Sequence, residues 1–374
     1  MTSLAPLVFW HNCVSPHAVP YMRELAAENP EVALCVDTIQ LRERARQGWE
    51  VPDLGNIKLR LVSDWRDATQ VLDQCPKQAI HVVGGWRDSP VRRCVIARVH
   101  ALGGRVGAAV EDANPLGWKG LARKLLYRMA CLRYRSELDF LLAIGQSGVE
   151  WYTRRGFPGE KVLPFWYTVE NECAQATPND RDSDGIARLI YVGRLDHNKG
   201  ADILLDALAK LDCLEWRLTI IGKGPRLPAL MKRAQEMKVG QVTFEGPQPN
   251  RTVRNALRNH DLAVVPSRYD GWGAVVNEAL MCGTPVICSS ACGARVLVEG
   301  SSRGSVFDAG SPESLSREIQ AWACGRVAGF GSRSAVQEWS RRINGSAAAA
   351  YLRAALEHVY GSAPRPAPPW ADGG

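Results

Sequence analysis

Short runs of consecutive apolar residues alternate along the chain with longer stretches whose apolar positions recur every three or four residues. The first half holds six such runs: PLVFW (6–10), EVALCVD (31–37), IKLRLV (57–62), AIHVVG (79–84), RVGAAV (105–110) and FLLAIG (140–145). Several are unbroken and rich in Val, Ile or Leu, the pattern of strands covered on both faces. Helical periodicity fills 16–28, 89–101 and 118–136 between them. The second half repeats the scheme with strands expected at 187–193, 215–222, 241–246, 261–266 and 284–289. Helices are expected there at 200–210, 225–238, 250–258, 273–282 and 312–323. This alternation predicts an α/β protein of parallel sheets joined by right-handed crossovers.

The segment NECAQATPNDRDSDG (171–185) is polar and lacks either periodicity, so it reads as a linker. It divides the 374 residues into an N-terminal domain, 1–170, and a C-terminal domain, 186–344. Two domains also follow from length, because single cores stop growing beyond about 250–300 residues. If both are doubly wound, a cleft between them is expected to face the carboxyl ends of both sheets. The stretch 345–361, built on Ala and Leu, is a strong helix. The tail 362–374, ending PRPAPPWADGG, reads as disordered. No internal repeat or heptad pattern is visible.

Composition narrows the function classes. With 46% hydrophobic and 23% charged residues the chain is globular rather than disordered. No apolar run approaches the ~18–20 residues of a membrane-spanning helix. The opening MTSLAPLVFW has neither a basic start nor a small-residue cleavage site, so no secretory signal is expected and the protein reads as cytoplasmic. Eleven cysteines include no C-x-x-C pair, and the dense group Cys282, Cys288 and Cys292 lacks a histidine at zinc-like spacing. Reduced, buried thiols are expected, not a disulfide framework or a metal site. The net charge of +7 suits anionic small ligands or an anionic membrane surface; without a motif it does not argue for nucleic acid.

Two stretches carry chemistry. In YVGRLDHNKG (191–200) a strand ends at Gly193, and Arg194 and Lys199 follow on the loop before a helix. Two cations and a helix N-terminus suit an anion such as a diphosphate, although taken alone the stretch favours the plainer reading of two solvated loop charges. In PSRYDGWGAVVNEALMCGTPVI (266–287) a strand ends at Val265, and Gly271 and Gly273 precede a helix starting near Ala274. Such glycines let backbone N–H groups approach a ligand. Seven residues separate Asp270, in the loop, from Glu278, in the helix. A carboxylate with two acceptor oxygens matches a vicinal diol such as a ribose; the alternative is an acid that only favours the helix dipole.

Together these stretches resemble the retaining glycosyltransferases of family 4, which have the GT-B fold of two Rossmann-like domains. Gly193, Arg194, Lys199 and Gly200 match the family's G-R-x-x-x-x-K-G pattern. Asp270 and Glu278 match its E-x7-E, and IGKGP (221–225) is similar to its Gly-x-Gly. The resemblance covers about residues 187–300. It implies a metal-independent hexosyltransferase that needs no cofactor, takes a nucleoside-diphosphate sugar, and sends its C-terminal helix back to the first domain. Arg194 and Lys199 would then neutralise the diphosphate, Glu278 would hold the ribose, and Asp270 would bind sugar hydroxyls. Gly193, Gly271, Trp272, Gly273, Ala274 and Val275 would complete the donor site. Asp270 is one methylene shorter than the family's Glu. The acceptor would be a glycan or glycolipid hydroxyl, in the manner of enzymes that build bacterial surface polysaccharides.

Other features fit less well or stay open. The D-x-D of Asp182 and Asp184 precedes a strand and reads as linker polarity, not a metal site. IGKGPRL has Leu227 where a dinucleotide fingerprint needs its third glycine. His11, His17 and Glu111, at the ends of first-half strands, could bind an acceptor or be structural; His17 and Glu111 are the acceptor candidates. WKGLARKLLYRMACLRYR (118–135) is basic and amphipathic, which fits either peripheral attachment to an anionic membrane or a packed helix with a solvated basic face. Two rival functions share the fold: a nucleotide-sugar epimerase or hydrolase, and a non-catalytic sugar-nucleotide binding protein.

Overall fold

A computed structural model describes residues 5–46, 49–87, 89–170, 185–211, 214–237, 241–324 and 331–371. The linker at 171–184, with Asp182 and Asp184, lies outside the described residues. The chain divides into two compact units. The first comprises Met1–Arg42, Val51–Glu170 and Ile343–Pro369; the second comprises Glu43–Glu50, Asn171–Arg342 and Trp370–Gly374.

In the first unit, seven strands form one parallel sheet: β1 (Leu7–Cys13), β2 (Val32–Thr38), β3 (Lys58–Leu61), β4 (Ile80–Gly84), β5 (Arg105–Val110), β6 (Phe140–Ile144) and β7 (Val162–Phe165). Their order is β3-β2-β1-β4-β5-β6-β7. The chain steps outward from β1 to β3, then returns to β4 and steps the other way, so the topology switches between β1 and β4. Every residue of β6 is buried, as its apolar run requires. The edge strand β3 is mostly exposed and alternates with charge, the usual protection of a sheet edge.

The helix Gly345–Tyr360 belongs to this unit, although in sequence it comes after Asn171–Arg342 of the second. Asn344 caps it by accepting from the Ala347 N–H. It packs on the helix Val19–Glu28, where a side chain on Gly345 would come within 2.9 Å of the Pro20 backbone. The Trp166 indole donates to the Ile343 carbonyl at 3.0 Å, and the Tyr360 hydroxyl to Asp139 at 2.7 Å. Arg365, in the segment that read as a disordered tail, donates to the carbonyls of Gly159 and Val162.

Six strands form the second sheet: β8 (Ala187–Val192), β9 (Trp216–Ile221), β10 (Gln241–Gly246), β11 (Leu262–Val265), β12 (Val286–Ser289) and β13 (Gly304–Phe307). All are parallel, in the order β10-β9-β8-β11-β12-β13. This is the doubly wound dinucleotide-fold order, with its switch between β8 and β11. The helix Ala201–Leu208 has six buried residues of eight and sits in this unit's core with Leu189, Tyr191, Leu218 and Ile287. The fold is the expected one of two Rossmann-like units, with the C-terminal helix returned to the first. Among the described residues no helix is long and apolar enough to cross a membrane.

Candidate active site

The residues that suggested chemistry converge at the β8–β11 switch. Two loops leave the carboxyl ends of these neighbouring strands, and sheet order alone brings them side by side. The first, from Gly193, ends at Gly200, whose φ of 72° is left-handed. A β-carbon there would lie 2.0 Å from the Pro266 carbonyl oxygen on the second loop, so only glycine permits the approach. The next loop along the sheet also joins in. A β-carbon on Gly222 would meet the Gly193 oxygen at 2.0 Å, and one on Gly224 the Leu195 oxygen at 2.3 Å. The glycines of IGKGP therefore serve close packing against the Arg194 loop.

Hydrogen bonds then lock the two switch loops. The Arg268 N–H donates to the Asn198 carbonyl, and the Asn198 amide donates to the Tyr269 carbonyl, both at 2.7 Å. The Arg268 guanidinium reaches the His197 carbonyl and forks onto both oxygens of Asp202 at 2.9 and 2.8 Å. Arg226 adds a third contact to Asp202 at 3.0 Å. Burial would raise the Asp202 pKa, but the hydrogen bond and charge of Arg268, with the charge of Arg226, outweigh it and hold the carboxyl below its ordinary range.

Within this frame Lys199 donates to Asp270 at 2.5 Å. Burial opposes the ammonium charge, yet Asp270's charge and hydrogen bond prevail and raise Lys199 above the usual lysine value. Lys199 is therefore a fixed cation at neutral pH. An ammonium has three donors, so pairing with one carboxylate oxygen does not exhaust it. Arg194 pairs with Asp196 at 3.0 Å, and the other Asp196 oxygen accepts the Lys199 N–H at 2.9 Å. Asp196 thus ties the two cations into one loop conformation. The Ser267 hydroxyl also approaches Asp270, at 3.4 Å.

Asp270 is held by its backbone as well. Its N–H donates to Ala291, and its carbonyl accepts from Gly293, forming a single bridge to the loop after β12. Gly273, with φ 90°, caps the helix Ala274–Met281; a side chain there would strike the Cys292 sulfur at 2.6 Å. The Cys292 thiol is pushed well up by its hydrogen bond with Cys288 and by burial, so it is a packing group and not a nucleophile. Trp272 is buried, and its indole N–H donates to buried Asn277 at 2.8 Å. Its ring stiffens the loop, and what remains for a ligand is backbone. The helix N-terminus behind it offers the amides of Ala274 and Val275 and the positive dipole end. Glu278, half-buried, stands in the second turn of that helix.

Arg194, Lys199, Asp270 and Glu278, with Gly193, Gly271, Gly273, Ala274 and Val275, thus share one edge of the second sheet. His17 and Glu111 lie in the first unit, at the carboxyl edge of its sheet. The His17 ring stacks on Tyr167 with centroids 5.5 Å apart, and its carbonyl accepts from both Thr168 donors. Glu111 is exposed just past β5, and its carbonyl accepts from Tyr152 at 2.7 Å. His11 is within β1, its ring against Gly84 at that sheet's own switch. Reading the sequence missed Asp202, Arg268, Arg226 and Asn198. No local signal marks them, because Asp202 and Arg268 are 66 residues apart.

Residues 179–326 match the family of glycosyl transferases group 1. Over 164 residues the chain is 33% identical to a glycogen synthase of Thermus thermophilus, covering 42% of this chain and 38% of the relative. Over 177 residues it is 33% identical to D-inositol 3-phosphate glycosyltransferase of Frankia alni, covering 41% and 43%. The chain thus spans about two-fifths of the length of these curated relatives. In fold the likeness extends further: Anabaena HepE, crystallised in complex with UDP, matches 94% of this chain and 99% of its own with a TM-score of 0.73 at 15% identity. The fold is thus that of GT-B structures, and within the second unit residues 179–326 are similar to glycosyl transferases group 1.

Proposed function

We propose that this protein transfers a sugar from a nucleoside-diphosphate sugar to a hydroxyl of a glycan or glycolipid, with retention of anomeric configuration and without a metal. The observation that carries the reading is the Lys199–Asp270 pair at 2.5 Å. It sets a cation for the departing phosphate beside an acceptor group for sugar hydroxyls, at the strand ends where open α/β sheets bind ligands. Arg194 and Lys199 neutralise the diphosphate and the charge that grows as the glycosidic bond to phosphate breaks. The Ala274 and Val275 amides add donors to the same oxygens. Glu278 accepts from the ribose hydroxyls, and Asp270 orients the sugar.

The acceptor oxygen bonds to the anomeric carbon on the face the phosphate leaves, and its proton passes to the departing phosphate oxygen. No separate protein base is needed for that step, and two fixed cations do the work that a divalent ion does elsewhere. His17 and Glu111 serve the acceptor. A role in bacterial surface polysaccharide synthesis belongs to the same proposal; the similar proteins named above are bacterial and include carbohydrate-building enzymes. The likeness in fold to HepE, crystallised with UDP, makes UDP the first nucleotide to try.

Calorimetric titration with UDP, GDP and ADP, each with and without EDTA, tests the reading. Binding of one nucleotide that EDTA leaves unchanged supports it. Failure of all three to bind overturns it, and binding lost on chelation overturns the metal-free part. Donor turnover at the same rate with and without added glycan acceptors would replace transfer by hydrolysis or epimerisation.

A further inference from the structure

The helix Gly117–Tyr134 turns its apolar stripe away from the core. Surface helices ordinarily turn that stripe inward. Here Trp118, Leu121, Leu125, Met129 and Leu132 recur at spacings of three and four, so they share one face. They are 75%, 66%, 60%, 51% and 44% exposed. The opposite face does the packing: Gly120 and Cys131 are buried, and Tyr127 and Tyr134 lie against the core of the first unit. Gly120 lets the segment just before the helix fold back against it, since a side chain there would meet the Pro115 carbonyl at 2.1 Å.

Charge completes the pattern. No Asp or Glu occurs between Ala113 and Ser136, whereas six cations do. On a 3.6-residue period, Lys119 and Arg133 flank the apolar stripe on one side, and Lys124, Arg128 and Arg135 flank it on the other. All five are exposed. Arg133 is paired with Glu137 at the helix end. An apolar ridge between two cationic rails matches a surface that is apolar just beneath a plane of negative charge. Trp118 at the ridge's N-terminal end has the amphipathic ring favoured at membrane–water interfaces.

We propose that this face seats the protein on an anionic lipid bilayer, with the helix lying in the interface and the five apolar side chains entering it. A partner protein would need a continuous acidic rim around an apolar groove to satisfy the same face; a bilayer with anionic headgroups supplies both everywhere. The inference rests on the first unit alone and holds whether or not the second transfers sugar.

Flotation of the full chain with vesicles tests it, comparing phosphatidylcholine alone with phosphatidylcholine containing roughly 30 mol% phosphatidylglycerol. The protein should float with the anionic vesicles only, and detach as salt rises to ~0.5 M. The K124Q/R128Q variant should bind about 30-fold more weakly, given the contribution of each cation near such a surface. The L121S/L125S variant should lose binding. Circular dichroism and UDP titration check that both variants are folded. No flotation of the wild-type chain with anionic vesicles overturns the proposal, as does binding that neither variant weakens. Self-association abolished by L121S/L125S, without vesicle binding, would assign the face to a second copy of this chain and also overturn it.

Discussion

Lys199 and Asp270 are 71 residues apart in the chain and 2.5 Å apart in the structure. Each is partly buried, with side chains 33% and 13% exposed, and each limits the other's freedom before any ligand arrives. A phosphate entering the site would compete with Asp270 for the lysine's donors. On the proposed function, a diphosphate that drew Lys199 toward itself would loosen its hold on Asp270 and leave that carboxylate for the sugar.

Asp270→Asn removes the competing charge while keeping shape. Nucleotide affinity should be held or rise, because Lys199 loses an internal anion. Sugar transfer should fall by about 10²–10³-fold, the usual effect of losing a positioned group that stabilises the transition state. Calorimetry with UDP beside steady-state turnover of a UDP-sugar separates the two effects. Equal losses in both would place Asp270 on the nucleotide rather than the sugar.

Glu278→Ala should behave in the opposite sense. A carboxylate bonded to ribose hydroxyls contributes about 1.5–3 kcal/mol, the range for hydrogen bonds to a charged group. Nucleotide titration should therefore show weakening by roughly 10–150-fold. Unchanged affinity would remove the ribose assignment.

Gly200→Ala tests whether the switch loops must touch. The left-handed backbone alone costs a side chain about 1–2 kcal/mol, and the approach to the Pro266 oxygen leaves no room for a β-carbon. Thermal unfolding of the second unit should shift downward, and nucleotide binding should be lost or sharply weakened. Wild-type affinity in this variant would show that the two loops bind independently.

The first unit carries a buried histidine with a clear pH signature. His81 is 5% exposed, accepts the Trp10 indole N–H at 3.2 Å, and is lowered by burial to about 4. The unfolded chain protonates it near 6.5, so between 6.5 and about 4 the unfolded state binds more protons. Stability from this residue is complete above pH 6.5 and declines as pH falls toward 4, by up to about 3 kcal/mol. Urea unfolding from pH 7 to pH 4 should show this decline in the wild type and a smaller one in His81→Gln. Parallel slopes would rule out His81 as its source.

Much of the fold is legible in local pattern. Eleven of the described strands occur where short apolar runs, several of them continuous in Val, Ile and Leu, predict them, and the helix Pro312–Ala323 spans the expected residues. The two strands not foreseen, β7 and β13, lie at sheet edges and have four residues each. β7 contains Pro164, which an edge tolerates because a donor there need not pair. The helix Trp65–Gln74 also went unforeseen, although Asp64 before it caps two N–H groups. Its apolar side is narrow, with Ala68, Val71 and Leu72 its only buried residues.

What the sequence alone determines is the alternation that makes two doubly wound sheets, and the residue types Arg194, Lys199 and Asp270 on the loops after their strands, with Glu278 in the helix that follows. Both follow from short-range rules: strand and helix periods, and glycine where backbone must approach backbone. Which loops meet is decided only by tertiary structure. β8 neighbours β11 because the chain reverses its direction of travel across the sheet, and no local window contains that reversal. The clamp of Arg268 and Arg226 on Asp202 has the same origin. So does the outward apolar face of the Gly117–Tyr134 helix: amphipathicity fixes which residues share a face, but packing against the core decides which face stays in solvent.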